Sequence, residues 1–478
     1  MKNIFLTFAI SLLSITILAF VALNKLKPRP PFHTSAFKME TIVENVDVPW
    51  EIVFLPDSSM LFTERPGRLR IFKKGKLVSS PIFELTDIDT TKKMGLLGLT
   101  LHPEFITNNI LYLAYNYKNN GRSWLRVVRY QLQKDSLLNP KTIIENIPAN
   151  QNHTGCRLKF GSDNKLYIST GDADEAIKAQ SLEAYNGKIL RVNDDGSIPD
   201  DNPFINFPNA HHEIWSYGHR NSQGLAFQPG SNRLFISEHG PNGGDEVNIV
   251  NKGNNYGWPV IHHQLKNDSM VAPLLEFTPS IGPSEAIFYN SNTIPELKGH
   301  LLVACLRGEA ILNIELNGQS VVTYNFLLQK EIGRIRALCV GPEGYIYLST
   351  SQKDPPEGQP GPEYDKIVRL IPGNGGMALT KSSATSAVSE TPVKKVAPLS
   401  KTAKLYIEMC SNCHGRKLEG SQWAKVIKKG QFKHGNLLSQ VITSIKTGYP
   451  QHGMPSWEGA IPTQDIKNLA GYVIKLAK

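Results

Sequence analysis

Between Pro49 and about Ser351 apolar and polar positions alternate with period two over short runs, and each pair of runs is joined by a turn rich in Pro, Gly, Asp or Asn. The pattern occurs six times: PWEIVFLPDSSMLFTE from Pro49, LGLTLHPEFITNNILYLAY from Leu97, CRLKFGSDNKLYISTG from Cys156, QGLAFQPGSNRLFISEHG from Gln223, SEAIFYNSNTIPELKGHLLVAC from Ser284 and IRALCVGPEGYIYLST from Ile335. Period-two runs joined by turn residues predict antiparallel hairpins. The second runs centre near Leu61, Leu111, Leu166, Leu234, Leu301 and Ile346, so the repeat recurs every 45 to 68 residues. That spacing fits four-stranded blades, with the variable remainder in outer strands and loops. Six copies predict an all-β six-bladed β-propeller over residues 38–371; a β-sandwich is the competing architecture.

A propeller makes a geometric prediction. If each hairpin starts at the same stage of its blade, the residues just upstream of the hairpins gather on one face around the axis. Those residues are Met94, His153, Arg220 with Asn221, and Arg334 with Arg336. A His, three Arg and an Asn at one mouth would bind an anionic ligand beside a base.

The chain ends differ from this middle. Residues Ile4 to Leu23 form an uncharged apolar run preceded by Lys2, so residues 1–30 read as an export signal or a membrane anchor. No A-x-A cleavage site is evident, which favours inner-membrane anchoring; the basic residues after the run oppose the corresponding orientation. Export places the rest in the periplasm or another extracytoplasmic space. Residues 372–400 are rich in Gly, Ser, Thr, Ala and Pro and read as a flexible linker.

The motif CSNCH follows at Cys410, Cys413 and His414. C-x-x-C-H is the attachment pattern of a c-type haem, with both thiols bonded to the haem and the His on its iron. Met454, which is the sole Met after the motif, is the candidate sixth ligand. Residues 401–478 therefore read as a small all-α cytochrome c domain. A zinc site would want a second pair of ligands; His434 and His452 are present but not in finger spacing.

Composition sharpens the picture in two places. Gly and Pro together make 69 of 478 residues, which excludes collagen-like and wholly disordered chains. The net charge of +10 is concentrated after residue 400, where twelve Lys/Arg face four Asp/Glu. A basic small domain suits an acidic partner such as a respiratory electron acceptor. No nucleic-acid module accompanies the charge, so nucleic acid is not an expected partner. Cys305 and Cys339 fall in predicted strands as buried small residues, and nothing marks Cys156 as a nucleophile.

The motifs PWEIVFLPD, TERPGRLRIF, GLLGLTLHPEF, HTGCRLKFG, STGD, EIWSYGHRNSQGLAF, EHGPNGGDEVN, NYGWP and IGRIRAL, in this order, resemble the soluble PQQ-dependent aldose sugar dehydrogenases, or glucose/sorbosone dehydrogenases. The resemblance spans roughly Val46 to Leu370 and implies a six-bladed propeller. It implies His153 as general base, Asp172 as the group orienting it, and Arg220 as the residue polarising the quinone, with Asn221 beside it. It implies that Arg334 and Arg336 bind the cofactor's carboxylates, and that backbone carbonyls of Gly240 and Pro241 bind a calcium ion on the cofactor. Glu246 and Tyr256 match positions of a second, structural calcium. Two positions depart from the family: Met94 replaces a Gln that contacts PQQ, and Arg307 stands where a Lys is usual.

The expectation is an exported quinohaemoprotein using PQQ, Ca2+ and haem c, oxidising an aldose to its lactone and passing electrons through the tethered haem. The alternative is a non-enzymatic binding propeller that carries an electron-transfer cytochrome.

Overall fold

The computed structural model describes residues 37–354 and 364–373, apart from 242, 264 and 266, together with 400–410, 414, 417–418, 427, 432–449, 457 and 462–477. The apolar run 4–23 and almost all of the linker lie outside them. Two compact units divide near residue 378.

Six antiparallel sheets of four or five strands make up the first unit. Their innermost strands are β2 (Pro49–Phe54), β7 (Leu96–Leu101), β11 (Leu158–Phe160), β15 (Ser222–Phe227), β19 (Pro283–Phe288) and β23 (Ile335–Val340). Each begins one of the six sequence repeats. The six-bladed propeller is therefore confirmed, and the hairpins seen in the pattern are the two inner strands of every blade. Outer strands are longer and less regular, up to thirteen residues in Ser136–Pro148, which accounts for the uneven spacing.

Alternation packs the blades. One face of each sheet meets its neighbour through apolar side chains, such as Leu61, Leu96 and Leu113 between the first and second blades. Tyr167, Ile189, Leu225 and Ile236 fill the wedge between the third and fourth. Val43, Ile52, Phe62 and Tyr347 join the sixth to the first. Strand β1 (Phe37–Val46) closes the ring, pairing antiparallel with β25 (Asp365–Pro372) as the outer strand of the last blade. The first strand in the chain thus fastens the last sheet.

The axis is polar below the mouth. Arg157 is fully buried; its guanidinium bridges Glu51 and Glu285, donates to the Gln223 carbonyl at 2.9 Å and stacks 4.1 Å over Trp50. Burial pushes the Glu285 carboxyl well up, against the pull of Arg157. Cys156 and Cys305 are buried thiols, and Cys339 is half-buried.

The second unit holds helices Lys401–Met409, Leu438–Thr447 and Thr463–Leu476. Tyr406, Val441, Ile445, Ile466, Leu469 and Val473 form its apolar centre. Ser400 caps the first helix, its side chain accepting from the Ala403 amide at 3.2 Å. Among the described residues no helix is long and apolar enough to cross a membrane.

Candidate active site

An inner hairpin begins and ends at the same end of its blade. Residues before the first strand and after the second therefore reach one face, and there they line a cavity of about 320 Å³. From the upstream side come Lys93, His153, Arg220, Asn221 and Arg334; from the downstream side come His239, Gly240, Arg307 and Asp354. Arg336 enters from strand β23 itself.

His153 sits on the segment entering the third blade, at a φ of +48°. The segment is held close to its surroundings: its carbonyl accepts from the Ala173 amide at 3.2 Å, and a Cβ on Gly171 would lie 1.7 Å from that oxygen. Only glycine fits at 171. Asn221 takes the Gly155 amide at 3.2 Å, and Asn116 donates to Thr154 Oγ1 at 2.7 Å.

The Nδ1 of His153 lies 2.8 Å from Asp172 Oδ1. A carboxylate only accepts, so Nδ1 carries the hydrogen and Nε2 keeps its lone pair. Trp258 Nε1 donates to the other oxygen of Asp172 at 2.8 Å. Burial would raise the Asp172 carboxyl, but the His153 hydrogen bond, with Arg220 nearby, outweighs it and holds the group below the usual carboxylate range.

Arg220 donates to the His239 carbonyl at 3.2 Å and lies 5.3 Å over the Trp258 ring. Its backbone is fixed by Glu238, which also accepts from Ser222 and contacts the buried His219 at 3.0 Å. Arg334 donates to the carbonyls of Ser351, Leu306 and Asp354. Arg336 bonds Gln223 at 2.9 Å and Asp354 at 2.6 Å, and burial lowers its pKa to about 10.

Asp354 was not singled out from the sequence. It meets Arg336, Lys93 at 2.6 Å and Arg65 at 3.0 Å. Burial would raise its carboxyl, and the three cations hold it below the ordinary range instead. Its position just past the second inner strand of the sixth copy was the available signal; the same stage gives Asp172, His239 and Arg307 in three other copies.

One expectation needs correction. Met94 does not face the cavity: it is 1 % exposed and packed in the interior. The turn in which the Met94 amide bonds the Thr91 carbonyl at 3.1 Å directs Lys93 to the cavity wall instead. A cation therefore stands beside the position where a polar contact had been expected to be lost.

The structure brings His153, Arg220, Asn221, Arg307, Arg334, Arg336 and Gly240 together around one cavity, with Asp172 behind His153. Glu246 and Tyr256 lie outside that lining. Glu246 Oε2 accepts from Asn248 at 2.9 Å, and burial raises its carboxyl to about 8. The Tyr256 hydroxyl donates to the Ile249 carbonyl at 2.6 Å and accepts from the Asn251 amide. In the second unit His414 follows Cys410 by one helical turn, its amide on the Cys410 carbonyl at 3.0 Å. Among the described residues its buried Nδ1 has no hydrogen-bond partner. Cys413 and Met454 lie outside the described residues.

Comparison with known proteins identifies the family. The family model described as Glucose / Sorbosone dehydrogenase matches residues 46–356, and that described as Cytochrome C oxidase, cbb3-type, subunit III matches residues 397–473. The aldose sugar dehydrogenase YliI of Escherichia coli is 35% identical over 333 residues, covering 66% of this chain and 90% of the relative. The crystal structure of the soluble aldose sugar dehydrogenase of E. coli in its apo-form covers 70% of this chain and 99% of its own, at 32% identity and a TM-score of 0.65. The PQQ-bound aldose sugar dehydrogenase of Streptomyces coelicolor covers 72% and 99%, at 28% identity and a TM-score of 0.62. With a His–Asp pair and converging cations at the mouth of a six-bladed ring, the chain belongs to the glucose/sorbosone dehydrogenase family and carries a cytochrome domain C-terminal to its propeller in the sequence.

Proposed function

We propose that this chain is an exported quinohaemoprotein that oxidises an aldose at its anomeric hydroxyl to the lactone, with PQQ in the cavity and the C-terminal haem c as the next electron carrier. The observation that carries this reading is the His153–Asp172 pair set in the wall of a cavity lined by Lys93, Arg220, Arg307, Arg334 and Arg336.

The residues fit PQQ, a planar quinone with three carboxylates. Five cations and one carboxylate, Asp354, line the cavity among the described residues. The Nε atoms of Arg220 and Arg336 and the Nε2 of His239 are buried without hydrogen-bond partners, as groups awaiting a polar ligand would be. Calcium suits the oxygen donors that the Gly240 and Pro241 carbonyls offer. The Gly240 amide is tied to Asp245 at 3.0 Å, which steadies that loop.

A bound PQQ supplies acceptance of the C1 hydrogen with its electron pair. The chain supplies the rest. His153 Nε2 takes the proton of the C1 hydroxyl as the C1–H bond breaks, and Asp172 holds the resulting imidazolium through Nδ1. Arg220, a fixed cation in a buried site, would hold the quinone end of the cofactor and favour its reduction. In the second unit, Cys410 and Cys413 would attach the haem and His414 and Met454 would be the ligands of its iron, and the group would supply one-electron transfer. The basic charge of residues 401–478 suits docking on an acidic respiratory acceptor.

Replacing His153 by Ala tests the assignment. Turnover of aldose with an artificial acceptor should fall by about 10²–10⁴, with PQQ affinity and the haem spectrum unchanged. Turnover within a few-fold of the parent contradicts it.

A further inference from the structure

We propose that Asp174 is a second positioning carboxylate for His153, so that the Nδ1 side of the base is held between two negative charges. The inference rests on His153 being the base. Its Nδ1 lies 2.8 Å from Asp172 Oδ1 and 3.2 Å from Asp174 Oδ1.

The two acids differ in setting. Asp172 is buried, and its oxygens receive three N–H groups: His153 Nδ1, Trp258 Nε1 and the Asp174 amide at 2.9 Å. Asp174 stands at the rim with its side chain 37 % exposed, steadied by Asn152 Nδ2 at 3.3 Å. Successive left-handed residues, Ala173 at φ +52° and Asp174 at +62°, fold the chain back so that the second carboxylate returns to the imidazole. Such backbone is costly outside glycine, and Asp is among the residues that accept it best.

The three side chains place oxygen and nitrogen atoms within 4.8 Å of one another, a spacing that a cation could also use. The donors already on Asp172 argue against that use. Its oxygens are committed to holding the ring and the indole, and the charge nearest to Asp174 Oδ1 is the one that forms on His153.

The chemical consequence concerns the protonated base. When the C1 hydroxyl proton arrives on Nε2, the imidazolium meets Asp172 and Asp174 on its Nδ1 side. Facing it from the other elements are the guanidinium of Arg220 and the imidazole of His239. With Asp174 present, two carboxylates flank Nδ1 of the imidazolium; without it one remains, and the imidazolium loses support.

The test uses the full chain and Asp174→Asn. In protein without PQQ, the His153 imidazole should titrate about one pH unit lower by NMR than in the parent. With PQQ and calcium added, the acid limb of kcat/KM should move down by a similar amount, while the thermal midpoint and PQQ affinity stay unchanged. Asp174→Glu, which keeps the charge, should restore most of the shift. A His153 titration in Asp174→Asn that superimposes on the parent overturns the inference. Loss of turnover in His153→Ala alongside that result would leave the base assignment standing; retained turnover in His153→Ala would remove the base assignment itself.

Discussion

At the scale of single residues, the site depends on which way neighbouring side chains point. Lys93 and Met94 are adjacent, yet one lines the cavity and the other is buried. Lys93→Met should weaken PQQ binding by about tenfold or more, the scale of one charge-assisted contact; fluorescence titration of the PQQ-free protein measures it, and unchanged affinity contradicts the role. Asp354 is the counterweight to Lys93, Arg65 and Arg336. Its carboxyl is depressed in the folded chain, so its stabilisation is complete above the ordinary value of 3.8 and is lost as pH falls below that through the folded value. Asp354→Asn should therefore flatten the fall of the thermal midpoint below about pH 4; an unaltered acid limb would contradict it. His153 and the arginines were legible in the sequence because they carry chemistry at a repeated stage. Asp354 and Asp174 were not, since an Asp in a turn-rich segment also reads as solvated loop.

At the scale of elements, the hairpin explains both success and omission. Period-two runs identify all six inner hairpins, although second strands such as Met60–Glu64 and Leu301–Cys305 are buried at every position. The upstream ends predict the mouth; the downstream ends reach the same face because the strands are antiparallel, and about a third of the lining lies there. Outer strands such as Ser136–Pro148 carry bulges and exposed faces, so their pattern is weak. The short 3-10 turn Ala176–Gln180 follows the Asp172–Asp174 segment, and buried Lys188 ties it down. Its Nζ donates to the carbonyls of Lys178, Ala179 and Asn186 at 3.1, 3.0 and 2.5 Å. Lys188→Met leaves those carbonyls without that donor and should cost about 3 kcal/mol of stability, read as a lower urea midpoint. A midpoint equal to the parent's would show that the turn is held otherwise.

At the scale of the whole molecule, two units divide the work that the proposed reaction needs. The propeller gathers distant segments into one cavity by closing a ring, with β1 on β25 as the clasp. The C-terminal unit carries the haem motif and most of the net charge. Both halves were legible in the sequence, one from repetition and the other from CSNCH. Inner contacts such as Arg157 with Glu51 and Glu285 were not, because they join strands more than a hundred residues apart. In the proposed reaction, tethering would make electron transfer independent of meeting a separate first carrier. The central claim is therefore tested by the absorbance of the oxidised haem in the full chain, given calcium, PQQ and aldoses in turn. The account predicts haem reduction only when PQQ and an aldose are both present, with an extent independent of protein dilution. Haem that stays oxidised while PQQ is bound, aldose is turned over with an artificial acceptor and dithionite still reduces the haem would contradict it.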